Sequence, residues 1–314
     1  MLIGRPCDGG FFVVDGFSRI VRLGEALAET GALQETAMAR TIEALKICAE
    51  KIKSRNVRHV GAVATAACRH ADNGDAFVKR VLAETGLELT TISADDEAQL
   101  TLSGCAPLLD TGHPHGLLFD IGGGSTEITW VETAANQTPR SLNVLSIPLG
   151  VVTLAESYGG DLLCANQFEE IIERLDADLA PFSTSNGICS AVADNQVQMI
   201  GTSGTMTTLG ALHLGLTRYD RSRVDGLSID MAHVRAQSAR FSELDCQTRE
   251  AMPCIGAGRA DLMLMGCAVL AAITRRWPVD AIRVADRGIR DGLIMEMIAG
   301  RSSTNDRKSL AHAS

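Results

Sequence analysis

Residues 117–131 read LLFDIGGGSTEITWV. An apolar run ends in Asp120, three glycines follow at 122–124, and Ser125, Thr126 and Glu127 lead into a second apolar run. The pattern is strand, glycine turn, strand. Consecutive glycines have no Cβ in the way, so their backbone N–H groups can converge on an anion. The hydroxyls of Ser125 and Thr126 add donors, and Asp120 and Glu127 flank the turn as hard oxygen ligands able to hold Mg²⁺ through water. A plain hairpin turn needing positive φ is the alternative. The acid before the glycines and the Ser-Thr-Glu after them favour phosphate. No GK[ST] follows, which excludes a Walker A loop. A strand rather than a helix comes next, which excludes a dinucleotide fingerprint.

Outward from this hairpin, strands and helices alternate in both directions. Upstream, 1–17 reads as strand, Gly-rich turn and strand. Met38, Ile42, Leu45, Ala49 and Ile52 fall on one face of an amphipathic helix. VRHVGAVATAA (57–67) reads as a buried strand, DAFVKRVLAETG as a helix closed by Gly86, LELTTIS as a strand, and DDEAQLTLSGCAPLL as a helix. The polar DTGHPHG segment near 110–116 is a break. Downstream come a strand at LNVLSIPLG, a helix at NQFEEIIERLDADLAPF, a strand and turn at VQMIGTSG, and a helix at TMTTLGALHLG. A long apolar helix spans GRADLMLMGCAVLAAITRRW, followed by a strand at AIRVAD and a last helix at RGIRDGLIMEMIA. The polar tail 301–314 reads as disordered. The alternation predicts an α/β fold, and 314 residues suit two domains.

Composition narrows the function. Net charge is −9 and the pI about 5.3, which argues against a nucleic-acid binder or a polybasic membrane surface. A polyanionic substrate would need a local basic cleft. The nine cysteines form no CxxC pair and their count is odd, as expected of reduced thiols in a cytoplasmic protein. No run approaches the ~18 apolar residues of a membrane span.

Three further segments carry candidate chemistry. QMIGTSGTMTTLG places Gly201, Thr202, Ser203, Gly204 and Thr205 between a strand and a helix start. Such a turn is either a capped helix or an anion site built from free N–H groups and the helix dipole. SADDEAQLTLSG puts Asp95, Asp96 and Glu97 in the first turn of a helix. On pattern alone they read as partners of the dipole, with a general base as the other reading. Arg69, at the end of an apolar strand, is either a surface arginine or a fork onto phosphate oxygens.

Taken together, VRLGEAL (21–27), AVATAACRHA (62–71), SADDEAQLTLSG (93–104), the 117–131 hairpin, SIPLG (146–150), MIGTSGTMTTLGAL (199–212), GRADLMLMGCAVL (258–270) and ADRGIRDGLI (285–294) resemble the exopolyphosphatase/guanosine pentaphosphate phosphatase (Ppx/GppA) family, in order over nearly the whole chain. The resemblance implies two actin-like (ribonuclease H-like) domains with the active site in the cleft between them: 1–115 plus 286–300, and 116–285. It implies Glu97 as the base that activates water, Asp120 and Glu127 as holders of Mg²⁺, and Gly122, Gly123, Gly124 and Ser125 as a phosphate loop. Arg69 would bind phosphate, and Gly201–Thr205 would form a second anion turn. It also implies a substrate of polyphosphate or guanosine pentaphosphate, no nucleic-acid or membrane partner, and allows a homodimer.

The family usually begins with a strand and a D-[LI]-G-[ST]-N-S turn before the segment that MLIGRP matches. Here that turn is absent, which removes a central strand and one anion-binding loop. Either the start lies upstream and Met1 is internal, or this is a short form with weak activity or binding alone. The expectation is therefore a Mg²⁺-dependent exopolyphosphatase. The alternatives are a guanosine pentaphosphate 5′-phosphohydrolase, a non-catalytic nucleotide or polyphosphate sensor, and, more remotely, a sugar or acetate kinase of the same superfamily.

Overall fold

The computed structural model describes residues 1–310 apart from positions 136 and 257. It is α/β, as the alternation predicts. The hairpin that opens the reading is the centre of a six-stranded mixed sheet. Its strands are β5 (His115–Ile121), β6 (Thr126–Glu132), β7 (Arg140–Ile147), β8 (Val197–Thr202), β9 (Ser228–Asp230) and β10 (Ala281–Val284), in the order β7-β6-β5-β8-β10-β9. β5 runs antiparallel to β6 and parallel to β8.

Strands covered on both faces read as continuous apolar runs rather than alternating ones, which is why LLF and ITWV carry so little polarity. Leu117, Phe119 and Ile121 face the larger core with helices Ala165–Asn186 and Met263–Arg276. Leu118, Val131 and Ile200 face the other way, against Leu102 and Cys105 of helix Ala94–Cys105. That helix is wedged between the sheet and the last helix, Ile289–Leu310. The wedge is tight: a Cβ added at Gly292 would collide with the Leu100 carbonyl, and one at Gly104 with the Gly288 carbonyl. Glycine on both helices lets the two backbones touch.

The N-terminal part is built differently. β1 (Leu2–Cys7) and β2 (Gly10–Gly16) form an isolated hairpin, and β3 (Val63–Ala64) pairs only with β4 (Thr90–Thr91), in parallel. Helices Glu35–Ser54 and Gly74–Thr85 pack with them around Leu33, Ile42, Phe77 and Val81. Gly86 ends the second helix with φ of 71°, as its sequence predicts.

Two expectations need correction. VRHVGAVATAA is not a buried strand: only Val63 and Ala64 are paired, and Val60 is half exposed. LELTTIS is likewise a two-residue strand. Both stretches have the composition of strands, but a strand exists only where a neighbour pairs with it, and β3 has a neighbour on one edge alone. The last helix is described as far as Leu310. No Gly or Pro follows Gly300 to stop a helix already nucleated. Positions 311–314 lie outside the described residues. Among the described residues no helix is long and apolar enough to cross a membrane.

Candidate active site

A cavity of about 570 Å³ opens between the N-terminal part and the six-stranded sheet. Glu97, Asp120, Gly122, Gly123, Gly124, Ser125, Glu127, Ser203, Gly204 and Thr205 all line it. Residues read from three separate segments of sequence are thus brought to one cavity.

The register explains the meeting. Asp120, next to last on β5, stands directly across from Glu127 on β6, with Thr202 of β8 on its other side. The loop between β5 and β6 is held by its carbonyls. Gly122 and Gly123 accept hydrogen bonds from the Val151 and Val152 amides (2.9 and 2.8 Å), the first turn of helix Val151–Tyr158. Gly150 must be glycine for this, because a Cβ there would strike Gly123. With the carbonyls committed to the helix, the Gly123 and Gly124 amides make no hydrogen bond among the described residues. Two free adjacent donors are what an anion nest requires.

The second turn comes from β8. Ser203 begins helix Ser203–His213 with φ of 81°, a left-handed conformation that costs a Cβ-bearing residue about 1–3 kcal/mol. Its hydroxyl donates to the Ile121 carbonyl at 2.8 Å, which ties the two turns together. Gly201 and Thr202 lie within β8 and do not reach the cavity wall. Thr202 instead donates its hydroxyl to the Arg287 carbonyl.

Glu97 enters from the opposite side. Ser93 and Asp96 form a reciprocal capping box that fixes the start of its helix. The Arg69 guanidinium donates to the Ile92 carbonyl at 2.8 Å and reaches Glu97 at 3.3 Å, so Arg69 braces the acid from behind rather than lining the cavity. Glu97 and Glu127 are buried, and Asp120 is partly buried. Burial pushes Glu97 up to about 7, helped by the charge of Glu127 and opposed by Arg69. Asp120 is also pushed up to about 7, by burial and then by Glu127 and Glu97. Burial raises Glu127, against hydrogen bonds from Ser125 and Ser146. A cation would relieve this mutual repulsion, and carboxylate oxygens suit a hard one. Among the described residues, however, no three His, Cys, Asp or Glu side chains could enclose a metal by themselves.

Sequence reasoning missed several supporting residues. Ser146 donates to Glu127 at 3.1 Å from the facing position on β7. It lies in the SIPLG motif, but only the register of β6 with β7 shows whom it faces. Thr65 supports Glu97. Arg259 also lines the cavity. Arg22, one of the basic residues the sequence offers as lining for a polyanion path, does line it, bonded to Asp261 at 2.7 and 2.8 Å.

Comparison with known proteins places this geometry. The model of the Ppx/GppA phosphatase family matches residues 2–300. Exopolyphosphatase 2 of Mycobacterium tuberculosis is 27% identical over 298 residues, covering 89% of this chain and 88% of its own length. Guanosine-5'-triphosphate,3'-diphosphate pyrophosphatase of Vibrio vulnificus is 28% identical over 307 residues, covering 95% of this chain but 57% of its own. The crystal structure of the Aquifex aeolicus Ppx/GppA family member superposes with a TM-score of 0.74 at 27% identity, covering 95% and 94% of the two chains. An exopolyphosphatase structure from Cytophaga hutchinsonii has the same fold, with a TM-score of 0.84 at 21% identity and coverage of 95% and 94%.

Proposed function

Because the chain belongs to the Ppx/GppA phosphatase family, we propose that it is a phosphoanhydride hydrolase releasing orthophosphate from the end of inorganic polyphosphate. The observation that carries this reading is one buried carboxylate, Glu97, poised near neutral pH and facing two phosphate-sized turns across one cavity.

The residues divide the work. The Gly123 and Gly124 amides, with Ser125 and the start of helix Ser203–His213, hold the terminal phosphoryl group. Asp120 and Glu127 are the residues that would hold Mg²⁺, as hard oxygen ligands suited to it. When bound, the cation supplies charge neutralisation on the phosphoryl oxygens. Glu97 takes a proton from water, and the water oxygen forms a bond to the terminal phosphorus. The bond from that phosphorus to the bridging oxygen breaks, and the shortened chain keeps the electron pair. Arg69 keeps Glu97 oriented and favours its charged form. In this reading residues 1–115 with 286–300 form one actin-like domain and 116–285 the other. The separate apolar clusters within 33–87 and 117–284 support that division, and a smaller cluster of Leu102, Cys105, Leu118, Val131 and Ile200 joins the two. Nine unpaired cysteines fit a reducing, cytoplasmic setting.

Phosphate release from long-chain polyphosphate and from guanosine pentaphosphate, measured side by side with Mg²⁺, tests the substrate. Polyphosphate should give the higher kcat/KM. A higher value for guanosine pentaphosphate would transfer the assignment to the alternative substrate, and release from neither would leave a binding protein.

A further inference from the structure

Helix Ser203–His213 carries an anion turn at its start and a histidine at its end. That histidine meets a second one. The rings of His213 and His233 lie with centroids 4.2 Å apart and planes at 81°. His233 belongs to helix Met231–Ser242, whose start is fixed by the Asp230 carboxylate accepting from the His233 amide at 2.8 Å. Gln237 stands one turn further along the same face of that helix.

β8 and β9 lead directly into these two helices, and both pair with β10, β8 in parallel and β9 antiparallel. The helices therefore run in opposite directions. Side chains on a helix lean toward its N-terminus. In an antiparallel pair His213 leans toward Gln237, and Gln237 leans back toward the histidines. Both carry a buried polar atom with no hydrogen-bond partner among the described residues, Nδ1 of His213 and Oε1 of Gln237. Buried polar atoms in folded proteins nearly always have a partner. Nδ1 is an acceptor when the ring proton sits on Nε2, and one cation can satisfy an imidazole nitrogen and an amide oxygen together.

The ring separation selects the ion. With a metal–nitrogen bond of about 2.1 Å, a ring centroid lies roughly 3.2 Å from the metal, so two rings at a right angle come about 4.5 Å apart and two at the tetrahedral angle about 5.2 Å. The observed 4.2 Å is close to the first and well short of the second. Right-angled nitrogen and oxygen donors suit Ni²⁺ or Cu²⁺ better than Zn²⁺.

We propose that His213, His233 and Gln237 form a site for a divalent transition ion of right-angled coordination, nickel or copper, which clamps the two helices together. Among the described residues no three His, Cys, Asp or Glu side chains gather around a metal, so the third protein donor is the amide oxygen and water fills the other positions. The site is apart from the carboxylate cavity, since the helix rise sets His213 about 15 Å from Ser203 along the axis. It does not rest on the phosphatase reading.

The test uses the untagged full chain and nickel chloride, followed by calorimetry and thermal melts. One nickel ion should bind with a Kd of about 10 µM or tighter and raise the melting temperature. Zinc should bind about fivefold or more weakly. His213→Ala and His233→Ala should each weaken nickel binding about tenfold or more, with phosphate release under Mg²⁺ unchanged. Asp120→Asn should bind nickel as the wild type does. Gln237→Glu, which offers a charged oxygen in the same place, should tighten binding about fivefold or more, and it keeps the test open if a histidine variant fails to fold. Wild-type affinity in both histidine variants would leave only adventitious nickel and overturn the proposal. So would tighter zinc than nickel, loss of nickel binding in Asp120→Asn, or a folded Gln237→Glu protein with no gain in affinity.

Discussion

Glu97 and Glu127 are acids that the fold buries, and Asp120 is partly buried within the field of both. All three are raised, which sets the sign of a stability effect. An acid with a folded pKa above its unfolded one favours folding at low pH, and that contribution is lost as pH rises through the folded value. For Glu97 and Asp120 the loss runs from their ordinary range near 4 up through about 7. The metal-free protein should accordingly melt lower at about pH 8 than at about pH 5. Mg²⁺ should restore much of the difference by binding the folded state alone. Asp120→Asn should shrink the pH dependence and abolish the response to Mg²⁺, which thermal melts across pH will show. An unchanged response to Mg²⁺ in that variant would remove Asp120 from the metal site. The hairpin acids were legible in the sequence because glycines and acids share one short stretch. The support Ser146 gives Glu127 was not, since it depends on the register of β6 against β7.

At the scale of elements, Glu97 is aimed by how its helix is held. Gly104 and Gly292 allow helix Ala94–Cys105 and the last helix to touch backbone to backbone. Gly292→Ala would force a methyl into the Leu100 carbonyl, one turn beyond Glu97. It should cost about 1–3 kcal/mol and lower kcat more than it raises KM, as urea melts and steady-state rates will show. A variant with wild-type stability and kcat would mean the crossing is looser than described. Helices and the central hairpin were legible because their periodicity and glycines are local signals. The stretches around β3 and β4 were misread because strand length depends on partners, and β3 lacks one on its second edge.

At the scale of the molecule, an acidic chain handles a polyanion with few cations at the cavity. Arg22 is bound to Asp261, and the Ala26 amide donates to Glu156 at 2.9 Å, so two contacts bridge the mouth between the N-terminal part and the sheet. Asp261→Asn should leave Arg22 free to meet substrate. KM for polyphosphate should fall a few-fold at low salt and return to the wild-type value at high salt. Stability should change by no more than ~1 kcal/mol, because the pair is partly exposed. A KM unchanged at low salt would show that Arg22 does not reach the substrate. The two-part architecture and its cleft followed from motifs in family order. The bridging of that cleft did not, because Arg22 and Asp261 sit in motifs far apart in sequence, and neither motif shows which residue of the other it meets.

The central claim is that Glu97 activates water, and the pH dependence of phosphate release with Mg²⁺, compared between the wild type and Glu97→Gln, tests it most directly. The wild-type rate should climb through the neutral range as Glu97 loses its proton. The variant should be slower by about 10²–10⁴-fold and lack that limb. A Glu97→Gln protein that keeps both the rate and the limb would contradict the assignment.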